Sequence, residues 1–554
     1  MNAKRYIQVI VPLKLDWEPV YSVPEGLELS EGDRVSVIFS GKEYVSIVSR
    51  TNVTPDTALR EDAIHPILDK VTDLPPISPL EIKFWRTIAS YYLCTVGEVY
   101  NSVYFRDQKP PRKWASKDRS AIASEPLLSP SQDSVYHGAL AAFEAGKTVL
   151  LQGVSGSGKK EVYLKLAANT LRQGKQVLYL VPDIAVSKAL EARLASVFPD
   201  VVPYHSGLTP AKRRDVALEA RAGHPMIVLG TRGALWLPFE NLGLIIVDQE
   251  QEPLYKQDSP APRYHARETS IMLASLCGAK VILGSSCPSL ESVYNTETGL
   301  FTRLELNQRF NNSTEPEVMV IDIAAEKRKR GMSGSFSLKL LAVLKDTVEA
   351  GKKALVVCRA KATIEEVREE IDGIFPGALD QSIMLVSPAA IKTIPDGEYA
   401  LIAVLLADGI LGREDFRSDE RAVQLFTQLR GKTGLLAIQT RESRHPVFSI
   451  ELANTLLAER KAVAYPPYTR LVTVSLADSD ENRLTLRSRL LGNRLREKLR
   501  PFSDPQILGP QDGEIRVFFK RDRNLTPGKQ ALYKEVTAFE QQYSCHIIID
   551  VDPV

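Results

Sequence analysis

Apolar residues along this chain fall in short runs whose spacing changes from one region to the next. Over residues 1–107 the runs RYIQVIVPL, DRVSVIF and EYVSIVSR are rich in β-branched residues and bounded by Gly, Pro and Asp. They predict the strands of a small, mostly β domain. The stretch LEIKFWRTIASYYLCTVGEV then carries helical periodicity and predicts one helix over 80–99. Trp85, Tyr91 and Tyr92 lie at i, i+6 and i+7 in it. That spacing favours a core position over a platform for ligands. Residues 108–132 have no periodicity and are rich in Pro, Ser, Lys and Arg, so they read as a linker.

From 133 to 303 the pattern becomes TVLLQG, QVLYLVP, MIVLGT, LGLIIVD and KVILGS, with amphipathic segments between, among them 161–172 and 187–197. Short, nearly continuous apolar runs suit parallel strands covered on both faces. The region predicts a doubly wound α/β lobe. A second α/β lobe follows over 304–448, with KALVVC, SIMLVS and ALIAVLLA as strands. Residues 449–554 read as α+β, with a long helix near 480–499 and strands IRVFFK and HIIIDVD. No internal repeat and no low-complexity tract stands out.

Composition adds limits. At 554 residues, 44% hydrophobic and 25% charged, the chain has the make-up of a soluble protein of several domains. Its net charge of +2 means that any footprint for nucleic acid is local. The five cysteines include no C-x-x-C pair, which argues against zinc. The N-terminus has no signal-peptide core, and no run approaches the length of a membrane span. A cytoplasmic location, with no membrane partner, is the expectation.

The chemistry concentrates in two places. Gly153-Val154-Ser155-Gly156-Ser157-Gly158-Lys159 lies between a strand and a helix, the context of a phosphate-binding loop. Its glycines allow a tight turn whose N–H groups, with the helix N-terminus behind them, meet phosphate oxygens. Lys159 would reach the terminal phosphates. The next position normally carries the hydroxyl that holds Mg²⁺; here it is Lys160. The second place is LGLIIVDQEQ, where an apolar strand ends in Asp248, a carboxylate placed for Mg²⁺. Gln249 follows it, and an amide cannot act as a general base. ATP is therefore the expected ligand, with magnesium disfavoured, no dedicated metal site and no zinc. Further on, Tyr255, Lys256, Arg263, Tyr264 and Arg267 interleave rings with cations, as single-stranded DNA sites do. A solvated loop with packed tyrosines is the plainer alternative. His205 receives no role.

Taken together, GVSGSGKKEVY, YLVPDIAVS, YHSGL, VLGTRGALWLPFENLGLIIVDQEQ, YKQDSPAPRYHARE and LGSSCPSLESVYN resemble, in order and spacing, the first ATPase lobe of the primosomal protein N′ (PriA) replication-restart helicases. YIQVIVPLKLDWEPVYSVPEGL and WRTIASYYLCTVGEVYNSV resemble that family's N-terminal domain, which captures a 3′ end. EDFRSDERAVQLFTQLRG resembles the end of its second lobe, and AERKAVAYPPYTRL, ILGP and IDVDP its C-terminal domain.

The resemblance implies an α/β protein with two RecA-like ATPase lobes, a small mostly-β N-terminal DNA-binding domain and an α+β C-terminal domain. It implies forked or single-stranded DNA with a 3′ end as partner, with primosome and single-strand-binding proteins as further candidates. It makes Tyr255, Lys256, Arg263, Tyr264 and Arg267 a DNA-sensing loop and Arg232 a backbone contact. Three family features are missing. The linker is too short for a winged-helix domain, the zinc-binding insertion is absent near 359–363, and the arginine-rich motif of lobe two shrinks to Leu429-Arg430-Gly431-Lys432. With Lys160 and Gln249, these losses predict a DNA-binding replication-restart protein with little or no ATP hydrolysis. An active 3′→5′ helicase with atypical motifs and a scaffold that does not bind DNA are the alternatives.

Overall fold

The computed structural model describes residues 5–55, 64–103, 117, 119–310, 316–358, 363–394, 397–411, 415–448 and 452–554. The fold is α/β, with two parallel sheets at its centre and an antiparallel sheet at each end.

The N-terminal sheet has five strands in the order Val20–Val23, Arg5–Ile10, Lys42–Arg50, Arg34–Phe39, Asp69–Lys70. Alternate residues Ile7, Val9, Val35, Val37 and Val48 fill one face with almost no exposure. The helix expected over 80–99 is two helices, Pro79–Tyr92 and Val96–Val103. Ser78 and Glu81 form a capping box at the start of the first, and Leu93, at φ 54°, ends it. The break lets the second helix press its backbone on the first strand's exit. A Cβ on Gly97 would lie 2.1 Å from the Leu13 carbonyl oxygen and 2.4 Å from that of Val11. Gly97→Ala is therefore expected to cost about 1–3 kcal/mol through overpacking, read as a lower denaturant midpoint at unchanged slope. Trp85 and Tyr92 are both core residues, and Trp85 stacks on Tyr100 with centroids 5.6 Å apart.

Lobe one is a seven-stranded parallel sheet: Phe301–Leu306, Thr148–Gly153, Lys280–Ser285, Leu242–Asp248, Gln176–Leu180, Ile227–Gly230, Val202–Tyr204. Its edge strand Phe301–Leu306 runs past residue 303 and pairs in parallel with Thr148–Gly153. The helix Pro130–Glu144 begins inside the stretch read as a linker, where a second capping box, Ser129 with Gln132, starts it. Residues 108–116 and 118 of that stretch lie outside the described residues. Lobe two has five parallel strands, Glu317–Asp322, Thr433–Thr440, Tyr399–Val404, Ala354–Val357 and Ile383–Val386.

The C-terminal sheet is antiparallel, in the order Gln506–Gln511, Glu514–Lys520, Thr469–Ala477, His546–Val551, with helices Glu481–Leu499 and Leu525–Tyr543 packed on it. One apolar cluster runs through three of these parts, joining Tyr92, Trp236, Tyr264 and Val551 among others. The N-terminal helices, lobe one and the C-terminal sheet thus share a core. Among the described residues no helix is long and apolar enough to cross a membrane.

Candidate nucleotide site and the loop beside it

The strand Thr148–Gly153 is buried on both faces and delivers the chain to the phosphate loop at its C-terminal end, where ligands of such sheets bind. Gly156 and Gly158 take φ values of 77° and 82°, open to glycine at little cost, and the helix Lys159–Arg172 follows. The Lys159 ammonium donates to the Gly153 carbonyl at 2.6 Å and to that of Val154 at 3.3 Å. Ser155, Gly156, Gly158, Lys159, Lys160 and Asp248 line a cavity of about 700 Å³. Ser157 is buried beneath it.

Asp248 ends its strand 4% exposed and accepts a hydrogen bond from the Gln249 N–H at 3.1 Å. Burial raises its carboxyl above the usual range, against the pull first of the Lys160 ammonium and then of Lys159. Gln249 sits half-buried with φ 54°, lining the same cavity. Gln251 accepts a 2.6 Å hydrogen bond from the Ser285 hydroxyl, tying the ends of two adjacent strands together.

The residues read as a DNA-sensing loop are placed differently from that expectation. Tyr255 has no exposed surface, and its hydroxyl donates to the carbonyls of Asp248 at 2.6 Å and Leu180 at 3.0 Å. Tyr264 is 1% exposed with its ring edge-on to Trp236. Lys256 is buried and donates to the carbonyls of Arg263 and Val551, and it pairs with Asp550 at 2.6 Å. Arg267 is buried against Glu250 at 2.8 Å and Glu268 at 2.5 Å.

Arg232 donates to the carbonyls of Leu254 and Lys256 and holds the loop from below. Rings and cations so committed cannot stack on bases or meet phosphates in this conformation. The loop is a brace between lobe one and the C-terminal sheet, because buried charges demand partners and find them there. Arg263 keeps a half-exposed side chain on the loop, beside Lys256, as Arg232 does below it.

Two family models match, the PriA 3′ DNA-binding domain over residues 8–104 and the DEAD/DEAH box helicase over 129–295. A replication restart protein PriA of Rickettsia felis is 25% identical over 660 aligned residues, covering 99% of this chain and 99% of its own. PriA of Bacillus subtilis is 28% identical and covers 82% of this chain and 69% of its own; PriA of Rickettsia prowazekii is 31% identical over 64% and 53%. The chain belongs to the PriA family. Among solved structures, the DUF1998 helicase MrfA bound to DNA aligns with a TM-score of 0.43 at 14% identity, over 72% of this chain and 57% of its own.

Two residues that sequence reasoning passed over, Gln132 and Glu250, and one that it named only within a shortened motif, Gly431, organise the site in this PriA-family chain. Gln132 is fully buried; its amide donates to the Ser157 carbonyl at 3.1 Å, and a Cβ on Gly158 would lie 2.1 Å from it. The pattern Ser129-x-x-Gln132 is a capping-box signal hidden in the stretch read as a linker, and nothing local marks the second task of Gln132 under the glycine-rich loop. Glu250 has no exposure and accepts from the Ser289 N–H at 2.7 Å, the Ser289 and Ser292 hydroxyls, and Arg267. Gly431 of lobe two rests on the phosphate loop: its carbonyl accepts from the Ser155 hydroxyl at 3.4 Å, and a Cβ there would lie 2.5 Å from that of Ser155. Gln428, on the same helix as Gly431, donates to Glu252. The shortened motif Leu429-Arg430-Gly431-Lys432 is thus at the mouth of the cavity, where Lys432 joins its lining.

Proposed function

We propose that this chain is a replication-restart protein that binds forked or 3′-ended DNA and holds ATP with little or no hydrolysis. The single observation that carries the second half is Gln249. It follows the Asp248 strand end and faces the phosphate-loop cavity, where hydrolysis needs a group able to accept a proton from water. Lys160 beside it and the reduced motif of lobe two at the cavity mouth add to the case. The first half rests on the match of residues 8–104 to a 3′ DNA-binding domain. Primosome and single-strand-binding proteins are the partners that this reading suggests.

The test is one titration series at a single stated salt concentration, because phosphate contacts make affinity salt-dependent. Forks with a free 3′ hydroxyl should bind more tightly than forks with that end blocked. ATP turnover on the bound fork should stay far below ~1 s⁻¹, the lower end of ordinary enzyme rates. Equal affinity for free and blocked ends removes the DNA half. Turnover at or above that rate removes the other and favours an active helicase with atypical motifs.

A further inference from the structure

Nucleotides usually enter phosphate loops with magnesium, so the donor set at this cavity can be asked whether it fits that ion. Mg²⁺ needs oxygen ligands at near-octahedral geometry. The loop position that normally offers a hydroxyl carries Lys160. The carboxylate at the strand end, Asp248, is buried and already faces the charges of Lys160 and Lys159. The other two carboxylates of the lining are engaged elsewhere, Glu125 with Lys165 and Arg172, and Glu161 with Arg193. A dication here would have one unpaired carboxylate, Asp248, buried, with only neutral amides and hydroxyls such as Gln249 and Ser286 beside it, next to two ammonium groups. These residues do not fit the ion.

They fit a polyanion instead. Lys160 is exposed, lines the cavity, and makes no hydrogen bond or ion pair with any described residue. Its donors are therefore open to a ligand, although its charge already acts on the Asp248 carboxyl, while Lys159 lies beside the loop carbonyls. Lys432 adds a third cation at the mouth from lobe two. The helix Lys159–Arg172 brings its N-terminal end to the same point.

We infer that the cavity takes a nucleoside triphosphate as the metal-free anion, with the Lys160 ammonium in the place of the magnesium ion. This rests on the nucleotide-binding half of the proposed function and specifies the form of the ligand. It explains why a lysine is tolerated at a position where it would otherwise repel the ion. It also separates binding from hydrolysis, since neither a metal-bound oxygen nor a general base is then arranged around the terminal phosphate.

Calorimetric titration of the full chain with ATP, once with a chelator and once with excess Mg²⁺, tests this. The wild-type chain should bind ATP at least as tightly with chelator as with Mg²⁺. Lys160→Thr should weaken binding in chelator by about 10- to 100-fold, the worth of one hydrogen bond to a charged group, and should make Mg²⁺ strengthen binding. Lys159→Ala should weaken binding in both conditions and serves as the control for the nucleotide reading. Tight wild-type binding that strictly requires Mg²⁺ overturns the inference and leaves nucleotide binding intact. No binding of ATP in either condition overturns both.

Discussion

Arg417→Ala is expected to destabilise the chain by about 3–5 kcal/mol, the cost of leaving a buried charge without its partner. Arg417 lies in lobe two, at the start of the helix Ser418–Gly431, with its side chain 11% exposed. Its guanidinium meets Glu291 of lobe one at 2.8 Å and Glu420 at 3.8 Å. Glu420 in turn accepts from the Leu290 N–H at 2.9 Å and pairs with Arg460 at 2.7 Å. Both guanidiniums lie 5.0 Å from the Phe416 ring. Removing Arg417 strands Glu291 in the junction between the lobes.

Burial alone would raise the Glu291 carboxyl, but Arg417, then Arg267 and Arg460, hold it down to about 2. A carboxyl depressed in the folded state contributes stability that is complete above its ordinary unfolded value near ~4.3. That contribution is lost as pH falls towards about 2. The variant should therefore lose stability most at neutral pH and differ least from wild type in strong acid. Urea unfolding of Arg417→Ala, Glu291→Gln and the double variant decides the matter. The double variant should lose clearly less than the sum of the singles. A loss under about 1 kcal/mol for Arg417→Ala would place this pair with exposed salt bridges and remove it as a lock between the lobes.

The same network shows where sequence reading ends. The strands TVLLQG and LGLIIVD were legible because a parallel strand buried on both faces announces itself as a continuous apolar run. The edge strand Phe301–Leu306 was not, since FTRLEL is neither a continuous apolar run nor a clean alternation, and only pairing with Thr148–Gly153 reveals it. The helix 80–99 was legible as helical, but not the break at Leu93 that sets Gly97 of the second helix against the Leu13 carbonyl far back in the chain.

The strand, glycine turn and helix around residues 153–159 were legible, because turn geometry is local. Tyr255, Lys256 and Arg267 carry an equally local signal, but remote partners bury them. Aromatic–basic interleaving describes a DNA-binding loop and a buried brace equally well. What distinguishes them is Asp550 and Val551 for Lys256, and Glu250 for Arg267. Partners at such sequence distances leave no spacing to recognise.

Gln249→Glu, alone or with Lys160→Thr, is expected to leave ATP turnover on forked DNA still far below ~1 s⁻¹. Restoring a positioned general base is worth roughly 10²–10⁴-fold where the rest of a site is intact. Losing an arginine that stabilises the transferring phosphoryl costs roughly 10³–10⁵-fold, and the proposed function places such a loss on the other lobe. There the helix Ser418–Gly431 brings a glycine to the phosphate loop, with the Gly431 carbonyl taking the Ser155 hydroxyl. A carbonyl presents the wrong charge for a developing anion.

The backbone adds a second obstacle. Gln249 holds φ 54°, a conformation uncommon for a side-chain-bearing residue, and its N–H is engaged by the Asp248 carboxylate. A glutamate placed there inherits the same pose. It also adds an anion beside Asp248, whose carboxyl burial already raises. Steady-state phosphate release from the single and double variants, with and without a fork, measures the outcome. A rise of about 100-fold or more from Gln249→Glu alone, within the range of one recovered base, would show that lobe two still supplies its charge. Gln249 would then be the one lesion that keeps the nucleotide intact.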